Sequence, residues 1–357
     1  MNEISLDKFK QEIDQVRDYL KHVEYVDKIS SHTFDQSVLK SVDELIEINE
    51  FKEHYKKFKT SKKIFEYKAS IISLYGLLEK YIEIWIKEYL DSLSDLVTNY
   101  SEITEKIKNF HFDLSLKLIN TITSRDSAKF QRLTKEEVLQ KLNKCITSND
   151  KYRFNTEAFI ISSGNLKHNK IVFLFDSIDI ELNKLLKRNQ TLIKLIQDEQ
   201  QTENIANIHS DDLYNRINDL VERRNEIAHG SEPPNILSNS ELETYIEFLE
   251  KYCQAIFEIL TEQFIKQKSI YKFEKIKKVI NVYTNSILAF EIENYVIRVG
   301  DALIVETGEG KFYEKYINSI QLDKQPYQEL SIYEKKNIAI GVEPRISKND
   351  TFYIVKK

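Results

Sequence analysis

The stretch DLYNRINDLVERRNEIAHG, residues 212–230, decides how the chain is read. As a helix it carries Leu213, Ile217, Leu220, Val221, Ile227 and Ala228 at three- and four-residue steps, the signature of an amphipathic face. The same stripe passes through Arg224. Burying an unpaired guanidinium costs several kcal/mol, so this Arg is expected to have a partner or to line a cleft. Asn225 and His229 are four apart and share one line at the edge of the stripe. Gly230 and Pro233-Pro234 stop the helix, so His229 falls in the last turn, where the macrodipole favours a cation. A fixed cation, an amide and an imidazole therefore converge at one helix end.

Working outward, the breakers are uneven. All four prolines (Pro233, Pro234, Pro326, Pro344) and most glycines lie after the first 229 residues, which hold only Gly76 and Gly164. The pattern predicts a long helical region followed by a β-rich one. The 357 residues suffice for more than one domain. A net charge of −5 gives no global field for nucleic acid. Two cysteines, Cys145 and Cys253, supply neither a disulfide framework nor a zinc site and point to a reducing cytoplasm. No apolar leader opens the chain and no uncharged run is long enough to span a membrane, so neither is expected.

Along the chain, Leu6, Phe9, Ile13, Val16, Leu20 and Val23 predict an amphipathic first helix with Ser5 as N-cap. A second helix is expected over Ser37–Phe58, ending in a Lys-rich run from Lys52 to Lys63 that reads as a solvated face. Ile64–Leu93 is apolar most of the way round and should be the central core helix. Glu79 lies within it and is the obvious partner for Arg224. Further helices are expected over Ser94–Ser124, over Thr134–Cys145 with a Thr134/Glu137 capping box, over Lys170–Lys187, and onward from Ser240, with Glu243 completing its cap. Lys184, Lys187, Arg188 and Lys194 form a second basic cluster. The segment 266–278, with Lys272 and Lys275 among its lysines, is the expected basic hinge. Beyond it the period becomes two, and six strands are expected: Val279–Val282, Ser286–Ile292, Ala302–Glu306, Tyr316–Gln321, Asn337–Val342 and Phe352–Val355. So many short strands in a small domain imply a closed antiparallel β-barrel.

Arg224-Asn225-Glu226-Ile227-Ala228-His229-Gly230 resembles the Arg–polar–x–x–x–His motif of the HEPN superfamily, helical-bundle domains that include many metal-independent ribonucleases. Tyr75, Glu79 and Tyr81 are similar to the first helix of several HEPN branches. Gly164-Asn165-Leu166 and the helix after it resemble a branch from bacterial defence and toxin loci. In the β-rich part, Val299-Gly300-Asp301, Ile317-x-Ser319-Ile320-Gln321 and Asp350-x-Phe352-Tyr353 resemble the second domain of translation factors of the elongation factor Tu type, with Lys335-Lys336-Asn337 replacing an expected glycine. No Walker A string is present, so a GTPase is not expected.

These resemblances imply a multidomain α + β chain. Residues 1–62 form an N-terminal helical arm, 63–265 an all-α HEPN-like nuclease bundle, 266–278 the hinge and 279–357 a six-stranded barrel. They imply an endoribonuclease without metal or other cofactor. His229 would move the proton, Arg224 would clamp the phosphoryl oxygens and Asn225 would orient either. Glu79 and Arg223 would support them, and Lys184, Lys187, Arg188, Lys272 and Lys275 would touch the RNA backbone. One His cannot be acid and base in one step, and HEPN domains imply a homodimer with a composite cleft. A toxin or antiphage-defence effector cutting RNA, tRNA first among candidates, is the leading reading, with the barrel meeting a translation-related partner. The alternatives are an inactive HEPN scaffold that binds RNA or protein, and a nucleotidyltransferase-associated HEPN partner. Ser231 counts against the last, because that group often has Tyr there.

Overall fold

The computed structural model describes residues 2–31, 42–124, 128–147, 151–161, 165–200, 208–230 and 235–356. The chain opens with α1 (Glu3–Ser31) and α2 (Val42–Leu96), followed by α3 (Glu105–Ser124) and α4 (Lys135–Thr147). Short helices α5 (Thr156–Phe159), α6 (His168–Ser177), α7 (Leu182–Leu186), α8 (Gln190–Gln200) and α9 (Ser210–Leu213) lead to α10 (Asn215–Ala228) and α11 (Asn239–Tyr271).

The central helix is as expected in place but not in length. Residues 42–96 form one 55-residue helix, so the expected break near residue 62 is absent. The Lys-rich run contains no Gly or Pro to stop a helix, and it is the solvated part of a continuous rod. The buried face of α2 includes Ile71, Leu74, Leu78, Ile82, Trp85, Ile86 and Leu90. Trp85 is sealed by Phe9 of α1 and Phe257 of α11, at ring distances of 5.7 and 5.5 Å. Its indole N–H donates to Ser5 Oγ at 3.1 Å. Ser5 is therefore a buried polar junction inside α1, not the cap.

Capping explains several boundaries. Thr134 and Glu137 exchange the expected reciprocal hydrogen bonds at the start of α4. The box that starts α11 is Ser238/Glu241, two residues before the expected one, and Glu243 instead pairs with Arg17 of α1 at 2.7 Å. The expected helix over 170–187 is split into α6 and α7 by Asp179, whose φ of 62° ends a helix. Part of the expected GNL loop (162–164), the start of the expected second helix, Ser231 and Pro233-Pro234 lie outside the described residues.

The β-rich part departs further. Among the described residues it has eleven strands: β1 (Phe273–Lys275), β2 (Lys278–Tyr283), β3 (Ile287–Ile292), β4 (Tyr295–Arg298), β5 (Ala302–Glu306), β6 (Phe312–Tyr316), β7 (Ser319–Leu322), β8 (Gln325–Tyr327), β9 (Glu329–Ile332), β10 (Lys336–Gly341) and β11 (Thr351–Val355). They form three open sheets, ordered β1-β11-β5-β6, β2-β3-β10-β7-β8 and β4-β9, with antiparallel neighbours. The expected closed six-stranded barrel is thus corrected. The additional strands are three to five residues long, and β8 contains Pro326, too little for a period-two signal to stand out.

Two cores result. One joins α1, α2 and α11 to the shorter helices, and one fills the space between the sheets around Leu288, Phe290, Val305, Ile340 and Phe352. A small third cluster of Phe273, Ile304 and Phe312 packs with Ile265 of α11. Lys268 of α11 binds Glu314 of β6 at 2.7 Å. The segment 266–278 therefore contains the last turns of α11 and strand β1. No helix among the described residues is long and apolar enough to cross a membrane.

Candidate active site at the end of α10

The stripe of α10 enters the core through Ile217, Leu220 and Val221 and emerges at its end, where Ile227 is half-buried and His229 exposed. Gly230, at a φ of 75°, supplies the left-handed stop, and its N–H donates to Ile227 O. The helix is gripped from three sides. Asn218 Oδ1 accepts the His168 backbone N–H of α6 at 2.9 Å. Arg216 reaches Thr244 O of α11 at 2.9 Å. Arg223 donates to Asp219 Oδ2 at 2.6 Å and to Tyr67 Oη of α2 at 3.0 Å, while Tyr245 of α11 also binds Asp219. Arg223 thus faces the bundle and fixes α10 to it; both carboxylate and phenol hold its guanidinium strongly protonated against the opposing effect of burial.

Arg224 points the other way. Its guanidinium lies 4.6 Å from the centre of the Tyr75 ring, and Nη1 donates to Asn225 Oδ1 at 3.2 Å. The Asn225 amide donates to Asn165 Oδ1 at 2.6 Å. Asn165 sits at a φ of 64°, a left-handed position Asn tolerates. Its backbone N–H and that of Leu166 donate to Tyr75 Oη at 3.0 and 3.3 Å. The circuit closes: the phenol oxygen holds the loop, the loop holds Asn225, Asn225 holds Arg224, and Arg224 rests on the phenol ring. Burial, above all, raises the Tyr75 pKa, and the Glu79 charge adds to it against the two N–H donors and Arg224.

The expected Arg224–Glu79 ion pair is replaced by the contact of Arg224 with Tyr75 and Asn225, and Arg224 acts on Glu79 only through its charge. Arg224 sits over the ring of Tyr75, one turn before Glu79. Burial raises the Glu79 pKa, with neighbouring Glu83 adding, while Lys129 and Arg224 pull it down. Glu79 instead lines a shallow cleft of about 410 Å³ with Gly76, Glu83, Lys87 and Lys129. His229 is the C-cap, its N–H bonded to Asn225 O at 2.9 Å, and among the described residues its ring has no side-chain partner.

The distant basic residues do not join this cluster. Lys184 pairs with Glu181 at 3.0 Å, Lys187 donates to Ile208 O, and Arg188 lines a cleft between α11 and β6. Lys272 caps α11, and Lys275 lies in β1 opposite Tyr353. Among the described residues no three His, Cys, Asp or Glu side chains gather as a metal site. Sequence reasoning singled out the Tyr75 and GNL strings only as resemblances; that they meet the motif helix through Tyr75 Oη and Asn165 is a finding of the fold. Tyr67 and Asp219, which aim α10, carried no sequence signal beyond their place on apolar helices.

A helical bundle whose penultimate helix ends in solvent-facing Arg, Asn and His defines a HEPN-type domain. The chain belongs to the RiboL-PSP-HEPN family, whose model matches residues 39–262. HEPN domains are generally associated with ribonucleases, which supports an RNA-related, nuclease-type function as a class. No curated protein matches the chain. A similar solved structure is the crystal structure of GDP-bound aIF5B from Aeropyrum pernix, at 14% identity, over 53% of this chain and 38% of that one. Its TM-score of 0.17 carries no argument, so the resemblance of the β-rich part to translation factors stays an expectation.

Proposed function

We propose that this protein is a metal-independent endoribonuclease acting at the end of α10. The observation that carries the reading is the circuit of Tyr75, Asn165, Asn225 and Arg224, which holds a partly exposed guanidinium five residues along the helix from an exposed imidazole. A fork of donors on a rigid base suits a phosphate, because it stabilises the charge that grows on the non-bridging oxygens. A neutral imidazole takes the proton of an RNA 2′-hydroxyl. The 2′ oxygen bonds to phosphorus, the P–O5′ bond breaks, and the 5′ oxygen leaves with a proton from a second imidazole. The products are a 2′,3′-cyclic phosphate and a 5′-hydroxyl.

The second imidazole is His229 of another copy, in a composite site across a homodimer. Asn225, already committed to Asn165, orients Arg224 and not His229. Residues 63–265 are the nuclease unit in this reading. The three sheets beyond act as a docking module, for which tRNA or another component of translation is the leading partner, and the biological role is that of a toxin or antiphage effector.

The His229 ring, which has no side-chain partner among the described residues, favours one other reading, a HEPN scaffold that binds RNA or protein without cutting. Incubating the protein with total RNA and a tRNA pool in excess EDTA separates the two. Fragments with cyclic-phosphate ends, absent with His229→Ala, are expected; tight RNA binding with no cleavage by wild type supports the scaffold.

A further inference from the structure

Glu79 is the carboxylate that the ion pairs around its cleft leave over. Lys80 pairs with Glu12 of α1 at 2.6 Å, Lys87 with Glu157 of α5 at 3.6 Å, and Lys129 with Glu83. Glu79 stands beside these three lysines and takes none of them. What acts on it is burial and the charges of Glu83, Lys129 and Arg224, with no hydrogen bond among the described residues. A half-buried carboxylate in that state has given up water without gaining donors, and a ligand that brings N–H groups completes it.

The space beside Glu79 is kept open. At about 410 Å³ the cleft falls in the range of small-molecule sites. Gly76 lines it, exposed in the interior of a 55-residue helix, where Gly is disfavoured relative to Ala. Nothing inside the chain requires Gly there, since an added Cβ would meet no atom within 4 Å. Bare backbone at Gly76 and the half-buried side chain of Ile84 leave room for the face of a planar ring.

Position and chemistry name the ring. Glu79 follows Tyr75 by four residues, about 6 Å along the helix. Tyr75 carries the Arg224 guanidinium at 4.6 Å. With an RNA phosphate at Arg224, the planar group within reach of the cleft is the base of an adjoining nucleotide. An ionised carboxylate only accepts hydrogen bonds. Guanine has two neighbouring donors on its Watson–Crick edge, N1–H and the 2-amino group, which match the two carboxylate oxygens. Adenine and cytosine set a ring acceptor beside their amino group, and uracil flanks N3–H with two carbonyls, so each of them turns a lone pair toward the carboxylate.

We propose that the cleft of Gly76 and Glu79 is a base-reading subsite, which takes an unpaired guanine next to the phosphate held by Arg224. The edge it reads is the one a duplex hides, so the substrate is RNA single-stranded at that guanine. The inference rests on the nuclease reading above for the presence of RNA at Arg224; the subsite itself comes from α2 and the pairing of its neighbours.

Binding of short oligodeoxynucleotides to the full chain tests it, because they lack the attacking 2′-hydroxyl and are not cut. The probes are uniform in thymine except for one central guanine, adenine or cytosine, and affinity is read by fluorescence anisotropy. Wild type is expected to bind the guanine probe about tenfold more tightly than the other two. The amide of Glu79→Gln offers one acceptor and one donor, the complement of adenine N6–H and N1, so this variant should lose the guanine preference and bind the adenine probe best. Gly76→Leu fills the cleft and should bind all three probes alike, with undiminished helical circular dichroism. Absent binding, equal affinity for the three probes, or a guanine preference that survives Glu79→Gln each overturns the proposal. So does a Glu79→Gln protein that loses RNA cleavage while its guanine preference in binding is intact, which would make Glu79 a proton carrier. A guanine preference in binding without cleavage of any RNA overturns the nuclease reading and leaves this subsite standing; cleavage next to every base alike does the reverse.

Discussion

Two polar clusters in this molecule are built from the same kinds of side chain and end in opposite states. Inside the bundle, His111 of α3 is completely buried. Its Nε2 accepts the Asn155 N–H at 3.0 Å, which leaves the proton on Nδ1 to be donated to Tyr100 Oη at 2.9 Å. The Asn155 amide donates to Ser115 Oγ and Val138 O, both at 3.0 Å. Burial pushes the His111 pKa down to about 3. At the end of α10, Tyr75, Asn165 and Asn225 form a comparable circuit, but among the described residues Arg224 spends only one of its five donors within it. The first cluster closes its hydrogen bonds and stays neutral, which is a structural solution. The second leaves most donors of its cation, and the neighbouring imidazole, without a side-chain hydrogen bond among the described residues. The presence of His, Asn and Tyr says little about function; whether the donors are used up says much.

The contrast can be broken at several points. The largest effect belongs to His229→Ala, expected to lower RNA cleavage by about 10²–10⁴-fold, the usual worth of a general acid or base, with an unchanged melting curve. Next is His111→Gln. A buried neutral His contributes stability that is complete above its ordinary pKa of 6.5 and is lost as pH falls toward 3. Wild type should therefore melt progressively earlier below pH 6.5. The variant should be destabilised at neutral pH, and its gap from wild type should narrow on acidification; a constant gap counts against the neutral assignment. Tyr75→Phe removes the acceptor of two backbone N–H groups and should cost about 1–3 kcal/mol by denaturant titration. Asn165→Gly keeps the left-handed backbone while cutting the tie to Asn225, so cleavage should fall while the fold persists. Tyr333→Ala, on an exposed ring, should change stability by about 0.5 kcal/mol or less.

Much of this was legible in the residues, for local reasons. The ends of α4 and α10 follow from Thr134/Glu137 and from Gly230, because caps are written within four residues of the boundary. The core role of Trp85 followed from a helix apolar on most sides. What failed depended on distant neighbours. Glu79 and Arg224 looked like a pair because both lie on apolar faces, yet the Tyr75 ring takes the guanidinium first. Ile72 belongs to the apolar pattern of the expected core helix yet is 50% exposed, because periodicity does not tell which side of a nearly all-apolar helix another element covers. Strands as short as β8 and β1 exist through their partners β7 and β11, and the openness of the sheets is a matter of pairing that no single strand records.

The most direct test of the account sets its two clusters against each other in one experiment. Arg224→Ala and His111→Gln are purified, and each is measured for thermal melting and for RNA cleavage in EDTA beside wild type. The account predicts that Arg224→Ala melts with wild type and loses cleavage, while His111→Gln melts earlier and still cuts below its transition. Wild-type cleavage by Arg224→Ala would contradict it.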